Sequence, residues 1–332
     1  MVSQRLKLFL VPVMAAVTVF AFLLMDTPPS KNWHSPEALV PRGSSSAEIA
    51  RLLSEKGILQ HPLVFRLLVT ATGTGRKIKF GEYSFEEPPN VFEVWRKLYR
   101  GEINRYEVTI PEGSNIYDIA EILGGQELAE TVKFIEIASS RAVLRRLGIP
   151  GATAEGFLFP DTYQLDKSMT AEDILESMVK LFRRRLPAEW EGRARDMGFS
   201  LLEIVTIASI IEKETGVESE KPLVSAVIRN RMARGMPLQM DPTVIYGLKR
   251  FGDELTKKDL QTPSPYNSYL NRGLPPGPIA NPGISAIRAA LFPADAEYLY
   301  FVSRNDGSHR FSKTLQEHNR GVASYRRDKS AE

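Results

Sequence analysis

An uncharged run, Leu8–Met25 (LFLVPVMAAVTVFAFLLM), constrains this chain more than any other feature. It is about the shortest apolar stretch that spans a bilayer core. Arg5 and Lys7 precede it and Asp26 follows, so the positive-inside tendency leaves residues 1–7 as a cytoplasmic tail and exports the rest. A cleaved signal peptide is the competing reading. The run is longer than a usual h-region, however, and no small-x-small site precedes Asp26. The expectation is a single-pass helix that stays in the cytoplasmic membrane, kinked but not forbidden by Pro12. A Pro/Ser linker over 26–37 (DTPPSKNWHSPE) then leads away from it.

The chain of 332 residues is long enough for two domains beyond that run. A net charge of +3 leaves no basic footprint for a nucleic-acid partner. With no cysteine there are no disulfides and no thiolate ligands or nucleophiles. His34, His61, His309 and His318 are scattered, without HExxH spacing, so no metal is expected. GxGxxG, GxxxxGK[ST] and GxSxG are all missing. No cofactor is expected.

An internal repeat organises the exported part. VPRGSSSAEIARLL (40–53) matches IPEGSNIYDIAEIL (110–123) at an offset of 70, with Pro41/Pro111, Gly43/Gly113, Ser44/Ser114, Ile49/Ile119, Ala50/Ala120 and Leu53/Leu123 in register. Each copy reads as strand end, Pro–Gly turn, Ser cap and apolar-faced helix. The echo also shows that LVPRGSS is native rather than a vector scar. Between the copies lie a helix around 61–71, a strand over 77–85 and a helix over 90–101. That order suits a small sugar-binding module over 38–104, and equally a packing or spacer domain. From 105 to 332 the pattern is mixed: a strand at 105–110, helices at 170–186, 200–214, 221–235, 241–248 and 314–327, and a hairpin at 297–313 turning on Asp306-Gly307. The fold class is therefore α+β. Ser200 with Glu203 forms a capping box, Gly216 is placed to end that helix, and Asp241 is placed to cap the next with Pro242 at N1.

The helix 200–214 ends in ASIIEKETG. On a wheel, Ile204, Ile207, Ala208 and Ile211 form one stripe. Glu212 borders it on the Val205/Ala208 side and Glu214 on the Ile207/Ile210 side, so the two acids cannot enter the same crevice. A carboxyl half-buried among aliphatic groups keeps its proton to higher pH, as a general acid near neutrality requires. Periodicity does not choose between them, and a plain polar helix end is the commoner use of any single Glu. Polar-plus-aromatic loops that suit sugars follow: Glu155, Asp161 and Tyr163 in EGFLFPDTYQL; Gln239, Asp241 and Tyr246 in LQMDPTVIYG; Tyr266, Asn267 and Tyr269 in SPYNSYLNRGLPPGPIANPG. Each loop taken alone is better explained as a turn or cap.

Together with YLYFVSRNDGSHRFS and EHN, these motifs resemble the endolytic murein transglycosylase family in family order, from about 38 to 327. The set is far more specific than any one member. Met240 stands where the family commonly has a small polar residue. The resemblance implies a single-pass membrane enzyme with a LysM-like portion (38–104) and a catalytic domain (105–332). It further implies cleavage of the β-1,4 bond between N-acetylmuramic acid and N-acetylglucosamine in nascent strands, leaving 1,6-anhydro ends and terminating polymerisation. The implied partners are peptidoglycan strands, the membrane and peptidoglycan synthases. The family's catalytic acid falls on Glu212; Asn230 in the motif VIRNRM and the loop residues named above are implied to bind substrate. One acid suffices, because the sugar's own C6 hydroxyl is the nucleophile. The alternatives are a lysozyme-like hydrolase, with Glu155, Asp161 or Asp241 activating water, and a non-catalytic scaffold that binds peptidoglycan.

Overall fold

The computed structural model describes residues 2–29, 33–252 and 254–329, with side chains of 10–29, 33–252 and 254–327. The chain divides into two compact units, Met1–Glu107 with Gln164–Thr170, and Val108–Tyr163 with Ala171–Glu332. Among the described residues no helix is long and apolar enough to cross a membrane. The expected span opens at Leu8; the side chains of residues 1–9, and Ser30–Asn32 of the expected linker, lie outside the described residues. So do the last three residues of the expected catalytic domain.

The first unit contains α1 (Val2–Met25), β1 (Glu37–Val40), α2 (Ser46–Glu55), α3 (Pro62–Ala71), β2 (Gly81–Ser84) and α4 (Val91–Arg100). β1 and β2 pair antiparallel, Val40 opposite Gly81. Ile49, Leu53, Phe65, Tyr83, Val94 and Leu98 fill the space beneath them, and Phe20, Leu23 and Leu24 at the end of α1 pack on that core. The strand expected over 77–85 is shorter, for a clear reason. Lys77 N–H donates to Thr74 O and Lys79 N–H to Leu98 O, so its first half closes a turn instead of a ladder.

β3 (Tyr106–Thr109) pairs with β4 (Thr162–Leu165), and the chain changes unit within both strands. The second unit holds α5 (Ile116–Gly125), α6 (Thr131–Ala138), α7 (Arg141–Arg146), α8 (Ala171–Arg185), α9 (Trp190–Asp196), α10 (Leu201–Glu214), α11 (Lys221–Ala233), α12 (Asp241–Leu248) and α13 (Ile284–Leu291). The hairpin β5 (Tyr300–Ser303) and β6 (His309–Ser312), then α14 (Leu315–Lys329), complete it. Helices with three two-stranded sheets agree with the α+β class.

The repeat is structural. α2 and α5 begin and end at the offset of 70, and Gly43 and Gly113 both take positive φ (84° and 77°). The caps lie one residue later than expected. Ser45 and Asn115 accept the free N–H groups at the helix starts, while Ser44 and Ser114 close the preceding turns on Pro41 O and Pro111 O.

α10 is the centre of the second unit. Ile204 to Ile211 are all buried, including Thr206 and Ser209, so the expected apolar stripe is in fact an apolar cylinder. Such a helix must be wrapped on every side; α9, α11, α12 and α13 pack against it. Its two inner hydroxyls turn back onto backbone: Thr206 donates to Leu202 O (2.7 Å), and Ser209 donates to Thr206 O (2.7 Å) while accepting from Ile279 N–H (3.0 Å). The helix stops at Thr215, which is extended (φ −146°), not at Gly216. α12 starts from Met240 without a side-chain cap, because the Asp241 carboxylate is engaged by the Tyr269 hydroxyl (2.5 Å).

Gly156 shows how tightly the loop beside α10 is seated. Its φ is +85°, and a Cβ there would lie 2.5 Å from Pro278 Cγ and 2.7 Å from Val205 Cγ1. Gly156→Ala is expected to cost about 2–4 kcal/mol from overpacking and left-handed strain together. Urea unfolding measures it; a loss below about 0.5 kcal/mol would mean the loop relaxes freely.

Candidate active site

Glu212 and Glu214 leave the end of α10 into different surroundings, as the wheel required. The Glu212 side chain is 8% exposed. Its Oε2 accepts from Gly283 N–H at 2.9 Å and its Oε1 from Lys221 Nζ at 3.3 Å. Lys221 opens α11 and is itself 2% exposed. It also contacts Glu218 (2.8 Å) and donates to Ser285 Oγ (2.6 Å). Burial alone would lower its pKa, but Glu218 and Glu212 hold it above the usual lysine range. A buried ammonium is tolerable only with such partners.

Two loops deliver these contacts. In PEGSN (111–115), Gly113 N–H donates to Asn281 O (2.9 Å). In IANPG (279–283), Asn281 N–H and Nδ2 both donate to Ser114 O (2.9 Å each), while its Oδ1 accepts from Leu158 N–H (2.9 Å). Asn281 is fully buried. Lys213 Nζ donates to Gly113 O (3.2 Å), which ties the first loop to α10. Gly283, at the end of the second loop, faces both acids: its N–H serves Glu212, and a Cβ on it would overlap the Glu112 carboxyl. Glu112 was not singled out from the sequence. The signal was present, since the repeat sets Arg42 and Glu112 at equivalent positions.

A second group forms around Glu155, 1% exposed. It accepts from Ile116 N–H (3.1 Å) and Asn281 Nδ2 (2.9 Å), and Tyr246 hydrogen-bonds to it. Burial pushes its carboxyl up to about 8. Tyr246 packs on Tyr266 (centroids 5.0 Å); burial, then the charge of Glu155, raises the Tyr246 hydroxyl strongly.

A third group lines a cavity of about 320 Å³: Glu214, Arg231, Gln239, Asp241, Tyr269 and His318. Burial, then the charge of Asp241, pushes Glu214 up to about 8, and its Oε1 has no hydrogen-bond partner. Arg231 points its guanidinium at the Leu299, Pro237 and Leu238 carbonyls and at Gln239 Oε1. Gln239 takes φ +51°.

The remaining expected site residues serve the scaffold. Asp161 accepts from Thr162 N–H and pairs with Arg185 (2.9 Å). The Tyr163 hydroxyl donates to Phe159 O. Asn230 donates to Ala296 O and Tyr298 O, and Asn267 to Leu260 O and Thr262 O. Of the three acids weighed as water activators, Glu155 has both oxygens occupied, Asp161 is paired with Arg185, and Asp241 lines the cavity with Glu214. Among the described residues no cluster of His, Asp and Glu is arranged to hold a metal ion.

The YceG-like family model matches residues 38–324. A Bacillus subtilis protein named endolytic murein transglycosylase is 30% identical over 302 residues, 86% of this chain and 83% of that one. A Streptococcus pneumoniae protein of the same name is 27% identical over 318 residues; there the match spans 57% of the relative's length. The crystal structure of a yceG-like protein from Listeria monocytogenes superposes with a TM-score of 0.60 at 31% identity, covering 87% of this chain and 99% of that one.

Glu214 makes stability depend on pH in a defined direction. A glutamate in the unfolded chain loses its proton near 4.5, whereas in the fold it keeps it to about 8. The folded state therefore binds the extra proton between those values, so the contribution of Glu214 to stability is fully present below 4.5 and is lost as pH rises toward 8. Glu214→Gln removes its share of that decline, a gain over the parent at pH 8 relative to pH 4 of roughly 2–4 kcal/mol. Parallel pH–stability curves from urea unfolding would show that Glu214 ionises normally in the fold.

Proposed function

The chain belongs to the YceG-like family, and from that premise we propose how it works. It is a lyase, an endolytic murein transglycosylase that cleaves the bond between N-acetylmuramic acid and N-acetylglucosamine in peptidoglycan strands. Glu212 moves both protons. Protonated, it donates to the glycosidic oxygen as the C1–O bond breaks and C1 takes oxocarbenium character. The C6 hydroxyl of the same sugar then bonds to C1 and returns its proton to Glu212, which closes the 1,6-anhydro ring and regenerates the acid. The nucleophile is tethered to its target, so no water needs activating.

One observation carries this reading: Glu212 is sheltered at the meeting of two loops, with Gly283 N–H and Lys221 holding both its oxygens. Those contacts fix the carboxyl in one orientation at the end of α10. Gln239, Asp241 and Tyr269, which share a cavity, suit the hydroxyl and acetamido groups of a bound sugar.

α1 carries Leu10, Val11, Val13, Met14, Val17, Val19 and Phe22 exposed. A helix apolar on several faces calls for lipid or protein cover, and we read it as the membrane anchor that keeps the enzyme outside the cytoplasm near strand synthesis. The β1–α2–α3–β2 order supports reading 38–104 as a LysM-like carbohydrate-binding module, and synthases making the strands would be its neighbours.

A second reading has one observation in its favour: Glu214 is held protonated to about 8 beside a cavity. Paired variants decide. On uncrosslinked glycan, folded Glu212→Gln is expected to lose at least about 100-fold in rate of anhydro-end formation. Glu214→Gln should keep more than about a tenth of the parent rate. Mass spectrometry reads the ends, since an anhydro end lacks one water. The reverse pattern would move the acid to Glu214, and hydrated ends from the parent enzyme would make it a hydrolase.

A further inference from the structure

Glu212 is surrounded in a way that leaves its proton unexplained. An acid that opens a glycosidic bond must carry a proton near neutral pH, yet its two visible partners, an ammonium and a peptide N–H, both favour a carboxylate. Something must oppose them. Of the charged groups that face this point, Lys213 of α10 is turned to Gly113 O (3.2 Å). Lys221 and the preceding Glu218 form a pair bridged to Ser285 of α13. Glu112 of the PEGSN loop is the remaining one. It sits across Gly283 from Glu212, with the Gly283 Cα against its carboxyl and the Gly283 N–H on the other carboxyl. The adjoining Gly113 is close to Glu212 as well, since a Cβ there would lie 3.6 Å from Glu212 Cγ.

We propose that Glu112 is the proton-holding partner of Glu212: its carboxyl, placed across Gly283, supplies the negative charge that keeps a proton where the glycosidic oxygen can take it. This rests on the reading of Glu212 as the proton-transferring group. Three carboxylates (Glu112, Glu212 and Glu218) against two ammoniums (Lys213 and Lys221) still carry an excess of negative charge, and one retained proton relieves it. Two like-charged carboxyls held close titrate as a pair, the second proton leaving only at a raised pH. The Glu112 carboxyl is itself held above the usual range, by lost hydration first and then by the charge of Glu212. Glycine at 283 is part of the device: any side chain there would push Glu112 aside, and its φ of −71° shows that the need is for space rather than backbone freedom. Glu112 acts through Glu212 and is a positioning residue, not a second acid for water.

The test is the pH dependence of kcat/KM for anhydro-end formation by the full chain. Removing the Glu112 charge leaves Glu212 with Lys221 and Gly283 N–H alone, so its proton leaves at lower pH. Glu112→Gln is expected to move the alkaline limb acid-ward by about one pH unit or more, while Glu112→Asp, which keeps the charge, stays within a few tenths. Gly283→Ala, which displaces Glu112 but retains the N–H, should move the limb the same way as Glu112→Gln and provides the test should that variant not fold. An unmoved limb in either Glu112→Gln or Gly283→Ala overturns the proposal, and so does an equal shift in Glu112→Asp. Failure of the underlying reading looks different: the parent then yields no anhydro ends, or Glu212→Gln stays active.

Discussion

The second unit depends on one buried amide. Asn281 uses its backbone and its side chain at once, joining PEGSN to IANPG and reaching Leu158 N–H and Glu155. Loops rich in Gly and Pro have little apolar surface of their own with which to fix their position. What fixes these is a set of hydrogen bonds made where water cannot compete, which is where such bonds are most directional and most costly to break. Ser209 adds a link from the middle of α10 to Ile279 N–H. The carboxyl at the end of α10 therefore meets the Gly283 amide in a defined geometry, although the two are 71 residues apart.

Three glutamates around one helix then acquire three characters without any change in chemistry. Glu155 is enclosed and satisfied, so it serves as a hinge pin between loops. Glu214 is enclosed and incompletely satisfied, so it keeps its proton beside a cavity. Glu212 is sheltered and bonded on both oxygens, to an ammonium and a peptide N–H. Environment decides which of them can exchange a proton with a substrate and which cannot. A raised pKa alone marks a desolvated acid, and desolvation is also what structural acids undergo. That is why Glu214 competes for the catalytic assignment on electrostatics, and why geometry at Gly283 favours its neighbour.

How much of this was legible beforehand follows the range of the interactions. Elements closed by local rules were readable: the Ser200/Glu203 capping box starts α10 at the expected residue, the helix expected over 90–101 is α4, and the repeat located α2 and α5. Four-residue strands were harder, because alternation over so few positions barely differs from a turn; the strand sought at 77–85 kept only its second half. α13 went unnoticed, since it begins at a glycine with no capping side chain. Within the site, helical spacing separated Glu212 from Glu214 correctly. It could not show that Lys221 folds back on Glu212, or that Asn230, Asn267 and Tyr163 direct their polar atoms into the scaffold. Those facts depend on tertiary partners that no local pattern encodes.

The repeat explains why the site lies where it does. Both copies fold as strand, Pro–Gly turn with positive φ, and capped helix, a combination that projects the residue between Pro and Gly away from the helix it precedes. In the first unit that position holds Arg42, whose guanidinium lies over the Phe80 ring at 4.6 Å, an ordinary surface contact. In the second it holds Glu112, and the same turn presents its carboxyl to Gly283 and the end of α10. Because the turn's conformation is dictated by Pro, Gly and the cap, the outward side chain is free to vary without cost to the fold. A backbone used twice thus supplies a structural corner in one unit and, with a change of charge at its tip, one wall of the candidate site in the other.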